Sequence, residues 1–282
     1  MPASAWIRCL RDLAILLAIA FATSRSDAVE IIGHRGASED APENTLASFR
    51  LAWTQNADAA ETDVYLSKDG EIVVIHDANT RRVGGRNQKV VDQTLAELKQ
   101  LDIGRWKGDQ WANERIPTLA ELLAIIPEGK RLFIEIKCGP EIAPRLAQVL
   151  RAAKKRPEQT CLISFSYEVM ERVKKELPEL KCYWIVQLRR SKKTSAWSPP
   201  LAEIIRKTKA AGLDGIDFGD APVIDREFIA KVKQAGLGVY TWTVNTTKEA
   251  GRLEQAGIDG ITTNRPGVLK EYFRGRLQHA SQ

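Results

Sequence analysis

Histidine and sulfur are scarce in this sequence: 282 residues hold three histidines, four cysteines and two methionines. No HExxH pair and no Cys/His cluster occurs, which excludes the ordinary zinc centres. No GxSxG elbow occurs, and Ser164 has no base near it in sequence, so a serine triad is a poor fit. A doubly wound sheet, the competing architecture, wants a glycine-rich dinucleotide loop after its first strand. His34-Arg35-Gly36-Ala37-Ser38 is not one. Beyond residue 30 no run is long and apolar enough to span a bilayer. Three cysteines, Cys138, Cys161 and Cys182, follow residue 28, and an odd number cannot complete a disulfide framework. Cys161 and Cys182 both open expected strands and are the one pair an oxidising compartment could join; three buried free thiols are the expected state.

The first 28 residues read as a secretory signal. Arg8 and Arg11 precede the apolar run Leu13–Ala22, and Ser26-Asp27-Ala28 places small residues at the −3 and −1 positions of a cleavage site. The run is short for a membrane span, and Cys9 lies ahead of it, misplaced for a lipidated N-terminal cysteine. The expected organisation is a signal peptide, residues 1–28, and one domain, residues 29–282, exported to the periplasm or secreted. Cleavage takes three arginines and two aspartates, leaving 39 basic and 34 acidic residues and a net charge of +5. The excess lies in Arg81-Arg82, Lys154-Lys155-Arg156, Arg189-Arg190 and Lys192-Lys193. No aromatic side chains interleave these clusters, so no nucleic-acid partner is expected; a mild attraction for small anions is.

Apolar runs alternate with amphipathic segments along the whole chain. Strands are expected to begin near Val29, Ala59, Leu132, Cys161, Cys182, Gly215, Val239 and Ile261. Eight strands alternating with helices make an α/β fold, a single-domain TIM-type (β/α)8 barrel. Ser67-Lys68-Asp69-Gly70 is a turn signal, so Ile72–His76 folds back on the second strand as a β-hairpin extension. Pairing about Asp69 brings His76 across from residues 61–64. Asn44 or Thr45 caps a helix carrying Leu46, Phe49 and Trp53 inward, and a further helix is expected from Asp92 through Leu101. Gly212, Gly236 and Gly257 end three helices, the last opened by a Thr246/Glu249 capping box, and the polar Ser191–Pro200 stretch is a surface loop.

In such a barrel the reactive groups collect at the carboxyl ends of the strands. Those ends carry His34-Arg35, Glu61 with Asp63, Glu135 with Lys137, Ser164-Phe165, Trp242 to Asn245, and Asn264-Arg265. Residues at i and i+2 of a strand face the same way, so Glu61 and Asp63 converge, as do Glu135 and Lys137. Three carboxylates together repel unless a cation offsets them, and oxygen ligands without a thiol favour a hard ion, Mg²⁺ or Ca²⁺. The competing reading pairs Glu61, Asp63 and Glu135 with Arg35 and Lys137 as a structural ion network. Two imidazoles, His34 and His76, beside a metal and an arginine supply what phosphodiester cleavage needs: a base, an acid and positive charge on the non-bridging oxygens. Phe165 and Trp242 sit where an apolar wall could meet a glycerol backbone.

These motifs resemble those of the glycerophosphodiester phosphodiesterases, exported bacterial-type members included. The resemblance runs in order through Gly33-His34-Arg35-Gly36, Pro42-Glu43-Asn44-Thr45, Glu61-Thr62-Asp63-Val64, His76-Asp77, Leu101-Asp102-Ile103-Gly104, Ile116-Pro117-Thr118-Leu119, Glu135-Ile136-Lys137, Ser164-Phe165, Trp242-Thr243-Val244-Asn245 and Gly260 to Pro266. It implies a TIM-type barrel that hydrolyses a small-molecule glycerophosphodiester to sn-glycerol 3-phosphate and an alcohol. It implies His34 and His76 as the acid/base pair, Glu61, Asp63 and Glu135 as ligands of one divalent cation, Ca²⁺ or Mg²⁺, and Arg35 and Lys137 on the phosphate. It further implies attack by the substrate's own 2-hydroxyl, with water then opening a cyclic phosphate. Asn264 departs from the pattern, which often shows Asp before Arg-Pro. The alternatives are a lysophospholipase D-like hydrolase on longer lipids and a barrel that binds phosphodiesters without turnover.

Overall fold

The computed structural model describes residues 28–280, so the signal-like segment lies, apart from Ala28, outside the described residues. Eight parallel strands close into a barrel: β1 (Glu30–His34), β2 (Ala59–Leu66), β4 (Arg131–Ile136), β5 (Thr160–Ser164), β6 (Lys181–Val186), β9 (Gly215–Gly219), β10 (Gly238–Trp242) and β11 (Gly260–Thr263). β1 bonds to both β11 and β2, which closes the ring. β3 (Ile72–Val74) runs antiparallel outside β2, with Val64 opposite Val74, the register that a turn about Asp69 dictates.

Alternation along each strand sorts the side chains into two layers. Ile31, Leu132, Ile134, Ile216 and Phe218 face outward into the main core, against α1 (Leu46–Thr54), α5 (Ala143–Ala153), α6 (Tyr167–Glu176), α8 (Arg226–Gln234) and the other outer helices. Ile32, Ala59, Phe133, Cys161, Ile163, Tyr183, Ile185 and Tyr240 face inward and fill the barrel. The large inner rings demand small neighbours: a Cβ on Gly260 would stand 2.5 Å from the Tyr240 ring, and one on Gly215 2.6 Å from that of Tyr183. At the floor Arg131 Nη1 lies 2.6 Å from Glu30 Oε2, under the Phe133 ring.

The helices start and stop where the sequence says. Thr45 accepts from the Ser48 amide, and Thr118 with Glu121 forms a full capping box on α4 (Leu119–Ala124). Gly212, Gly236 and Gly257 have φ of +65°, +78° and +94° with open space around a Cβ, so backbone conformation alone selects glycine there.

Four expectations change. The Asp92–Leu101 helix is one turn, α3 (Leu95–Leu98), after a 3₁₀ turn at Val90–Asp92; Leu98 and Leu101 still bury against Val73 and Ile75, so the burial needs no continuous helix. The short helix α2 (Arg81–Gly84), not foreseen, brings Arg82 to the barrel rim. The Thr246 cap on α9 (Thr247–Ala256) is half a box, because Arg252 takes the Glu249 carboxylate. The Ser191–Pro200 loop is exposed for most of its length but is the tip and return arm of a two-strand hairpin, β7 (Arg189–Arg190) with β8 (Trp197–Ser198).

Cys161 and Cys182 do not pair. Leu162 is the residue opposite Cys182, so Cys161 faces the barrel interior and Cys182 the outer layer. The third thiol, Cys138, is half-buried. No helix among the described residues is long and apolar enough to cross a membrane.

Candidate active site

The chain leaves β1 through a constrained turn. Arg35 and Gly36 adopt φ of +53° and +84°, and a Cβ on Gly36 would lie 2.3 Å from Ser48 Oγ, so glycine is obligatory there. For an arginine the left-handed conformation costs about 1–2 kcal/mol. Three hydrogen bonds hold it: its amide donates to Glu61 Oε2 at 3.0 Å, and its carbonyl accepts from the Asn44 amide at 3.0 Å and Ser48 Oγ at 2.9 Å. The strained backbone fixes the Arg35 side chain over the carboxylates.

Glu61 and Asp63 point inward from β2, and Glu135 lies opposite Asp63 on β4. Oxygens of all three lie within 4.8 Å of one another, and the residues are 3%, 1% and 9% exposed. Lys137 Nζ stands 2.8 Å from Glu135 Oε1 and 3.4 Å from Asp63 Oδ1. Arg35 Nε is 3.3 Å from Asp63 Oδ2, close but not aligned for a hydrogen bond, while Asn44 Nδ2 donates to the same oxygen at 2.8 Å. Two cations thus face three acids, and Glu61 Oε1 and Asp63 Oδ1 are buried without a hydrogen bond.

The electrostatics follow this imbalance. Burial, then Asp63 and Glu135, push Glu61 well above the usual carboxylate range. Burial, then Asp63, raise Glu135 to about 7 against the opposing Lys137. Burial would raise Asp63 too, but Lys137 and Arg35 hold it below its ordinary value. A self-sufficient ion network would satisfy all three acids. This one leaves Glu61 only partly compensated and two oxygens without a hydrogen bond, which fits a divalent ion bound by hard oxygen donors.

The two imidazoles rest on different partners. His34 Nδ1 is 2.6 Å from Asn264 Oδ1, which also accepts from Ser38 Oγ at 3.0 Å, and His34 Nε2 lies 4.0 Å from Glu61 Oε2. Burial, then the Arg35 charge, lower His34 to about 4. His76 Nδ1 is 2.6 Å from Asp77 Oδ1, and Arg82 Nε donates to the other Asp77 oxygen at 2.7 Å. The Arg82 hydrogen bond, against burial, brings Asp77 down to about 2. Arg82 also grips Glu43, which accepts from Arg35 at 3.0 Å. A chain of contacts therefore links His76, Asp77, Arg82, Glu43, Arg35 and Asp63.

Phe165 is 46% exposed, and its ring centroid lies 5.5 Å from that of Trp242 in an edge-on pair, with Lys137 Nζ 5.9 Å from it. The structure thus gathers the residues singled out from sequence at one end of the barrel. Sequence reading missed Asn44 as a site residue, because the same motif announces a helix cap. It also missed Glu43, Asp77 and Arg82, whose pairing spans up to 39 residues. Asn245, ambiguous in sequence, is a loop brace that accepts from the Asn264 amide at 2.9 Å and Thr263 Oγ1 at 3.2 Å.

Fold and site together define a class: a (β/α)8-barrel protein with a buried carboxylate trio, two imidazoles and two cations at the carboxyl ends of its strands. Comparison with known proteins narrows it. The profile of the glycerophosphoryl diester phosphodiesterase family matches residues 34–268, and the chain belongs to that family. A glycerophosphodiester phosphodiesterase of Caldanaerobacter subterraneus is 36% identical over 248 residues, covering 86% of this chain and 97% of that protein. One from Bacillus subtilis is 30% identical over 266 residues, 88% of each chain. An Oleispira antarctica phosphodiesterase, solved in complex with the product sn-glycerol-3-phosphate, superposes with a TM-score of 0.77 at 29% identity, covering 88% of this chain and 97% of that one.

Proposed function

We propose that this protein hydrolyses glycerophosphodiesters to sn-glycerol 3-phosphate and an alcohol. The observation that carries the reading is the incomplete neutralisation of Glu61, Asp63 and Glu135, two of whose buried oxygens lack a hydrogen bond, beside two separately supported imidazoles. Those three residues would hold one divalent cation, Mg²⁺ or Ca²⁺, which when bound supplies Lewis-acid polarisation of a phosphoryl oxygen. Arg35 and Lys137 hold the non-bridging oxygens, and Phe165 and Trp242 flank the organic part of the substrate.

The hydrogen-bond partners divide the proton work. Asn264 offers His34 a neutral oxygen that fixes the proton on Nδ1 and leaves Nε2 free, the state of a base. Asp77 offers His76 a carboxylate that orients the ring, and the acid's part is assigned to that ring. His34 takes the proton of the substrate's attacking 2-hydroxyl and His76 delivers one to the departing alkoxide, which leaves a cyclic phosphate; each then does the reverse as water opens that ring to sn-glycerol 3-phosphate. The test varies the leaving group. His76→Ala loses glycerophosphocholine turnover about 100- to 10,000-fold but much less on a p-nitrophenyl ester of glycerol phosphate, whose leaving group needs no proton. His34→Ala loses both. Near-wild-type turnover of glycerophosphocholine by either variant would contradict the scheme.

A binder without turnover has no use for two imidazoles on opposite kinds of partner. Export is part of the proposal: cleavage after Ala28 leaves Val29 as the first residue, and intact mass with N-terminal sequencing of the exported protein tests it, a retained Met1 counting against it.

A further inference from the structure

We infer that Arg82 is a positioning residue: its guanidinium ties the loop that carries His76 to the loop that carries Arg35, and so sets the acid imidazole against the bound phosphate. The inference rests on the hydrolase reading above and adds the part that holds its two halves in one frame.

Arg82 Nε donates to Asp77 Oδ2 at 2.7 Å, while Nη1 and Nη2 donate to Glu43 Oε2 and Oε1 at 2.8 and 2.7 Å. Each carboxylate also touches a residue of the site. Asp77 Oδ1 lies 2.6 Å from His76 Nδ1, and Glu43 Oε1 accepts from Arg35 Nη1 at 3.0 Å. One planar cation thus joins the partner of His76 to the partner of Arg35. The two halves come from separate parts of the chain: Glu43 stands in the loop between β1 and α1, whereas Asp77 and Arg82 follow β3. Among the described residues, Arg82 with Glu43 is the sole hydrogen-bonded link between residues 35–45 and residues 76–85.

The tie has a firm base and an open head. Next to Arg82, Val83 is buried with Val73 and Ile75, and Thr80 Oγ1 donates to the Arg86 carbonyl at 2.8 Å. The Arg82 side chain itself is 44% exposed. Ion pairs that open to water contribute little to stability, so the fold gains little from this one. Its geometry is what distinguishes it: a guanidinium presents its donors in a fixed plane and grips two carboxylates at once, whereas a lysine ammonium is a point charge. Without Arg82, Glu43 keeps only Arg35 and Asp77 keeps only His76, and the acid ring and the phosphate clamp move independently.

The test is steady-state kinetics of the full mature protein with saturating Mg²⁺, on glycerophosphocholine and on the p-nitrophenyl ester of glycerol phosphate. Arg82→Ala lowers kcat/KM for glycerophosphocholine about 10- to 100-fold, the scale for a misplaced reacting group. It lowers kcat/KM less for the p-nitrophenyl ester, which needs no proton from His76. In a His76→Ala background the same substitution costs less than in wild type, because one of its two routes is already gone. Added ethylguanidinium restores part of the loss in Arg82→Ala, and ethylammonium does not; Arg82→Lys stays impaired. Melting temperatures remain within a few degrees of wild type, and Arg81→Ala, at the exposed neighbouring position, keeps wild-type kinetics. Equal losses on the two esters, equal rescue by the two ions, or wild-type rates in Arg82→Lys would overturn the inference. A wild type inactive on both esters overturns the hydrolase reading and the inference with it; an active wild type matched by Arg82→Ala overturns the inference alone.

Discussion

His34 and Asn264, 230 residues apart in the chain, meet with 2.6 Å between imidazole Nδ1 and amide Oδ1. Parallel pairing of β1 with β11 makes the meeting possible: Gly33 lies opposite Thr263, so the residues that follow each strand emerge side by side at the rim. The amide orients the ring, and its pull toward the charged form is outweighed by burial and then by the Arg35 charge. That relationship separates His34 from His76, whose partner is the Asp77 carboxylate.

Asn264→Ala removes the brace and lowers kcat/KM about 10- to 100-fold, the usual scale for a lost orienting contact. Asn264→Asp keeps the geometry but adds a negative charge that stabilises imidazolium, so His34 titrates at higher pH. A base protonated at higher pH is inactive over a wider acid range. The acid limb of the kcat/KM profile therefore moves upward in pH, while thermal stability stays close to wild type.

Glu135, raised to about 7 in the ion-free protein, must lose its proton to bind a cation. Cation affinity therefore falls as pH drops below about 7, and Glu135→Gln makes that dependence shallower, leaving the part that Glu61 carries, while most of the affinity is lost. Stability follows the same sign. An acid whose folded value is raised favours the folded state below its unfolded value near 4.5 and loses that advantage as pH rises through 7. The ion-free protein thus melts lower at pH 7.5 than at pH 5.5 through this group, and added Mg²⁺ or Ca²⁺ reverses the difference. Calorimetric scans at the two pH values, with and without ion, read it directly.

Asp102 clamps the loop that follows α3. Its Oδ1 accepts from the Gly104 and Arg105 amides at 3.0 Å, and its Oδ2 from the Asn113 amide at 3.0 Å. Within that loop Lys107 donates to the Ser38 carbonyl at 2.9 Å, and Ser38 in turn bonds Asn264. Asp102→Ala costs about 1–3 kcal/mol from the lost charge-assisted bonds and exposes the segment between Ile103 and Glu114 to proteolysis. Activity falls by a smaller factor than in Asn264→Ala, because Lys107, Ser38 and Asn264 stand between the Asp102 loop and His34.

The barrel was legible because its physics is local and periodic. Apolar runs, glycine caps at Gly212, Gly236 and Gly257, and a turn centred on Asp69 are each read within a dozen residues, and the hairpin register followed from the turn alone. The carboxylate trio was legible for the same reason, since i and i+2 positions share a strand face. The braces were not. Asn264 reaches His34, and Arg82 reaches Glu43, only after the ring has closed. Asn44 carries a capping signature yet leaves the cap to Thr45 and bonds Asp63. The one-turn α3 shows the converse limit, because leucine spacing records burial and not the length of the helix that delivers it.

The measurement that bears most directly on the whole account is release of sn-glycerol 3-phosphate from glycerophosphocholine by the mature protein, before chelation, after it, and after Mg²⁺ or Ca²⁺ is restored. The account predicts product formation, its loss on chelation and its return with one of the two ions, with no return in a Glu61→Gln, Asp63→Asn double variant. Turnover that persists at full rate without a divalent ion would contradict it.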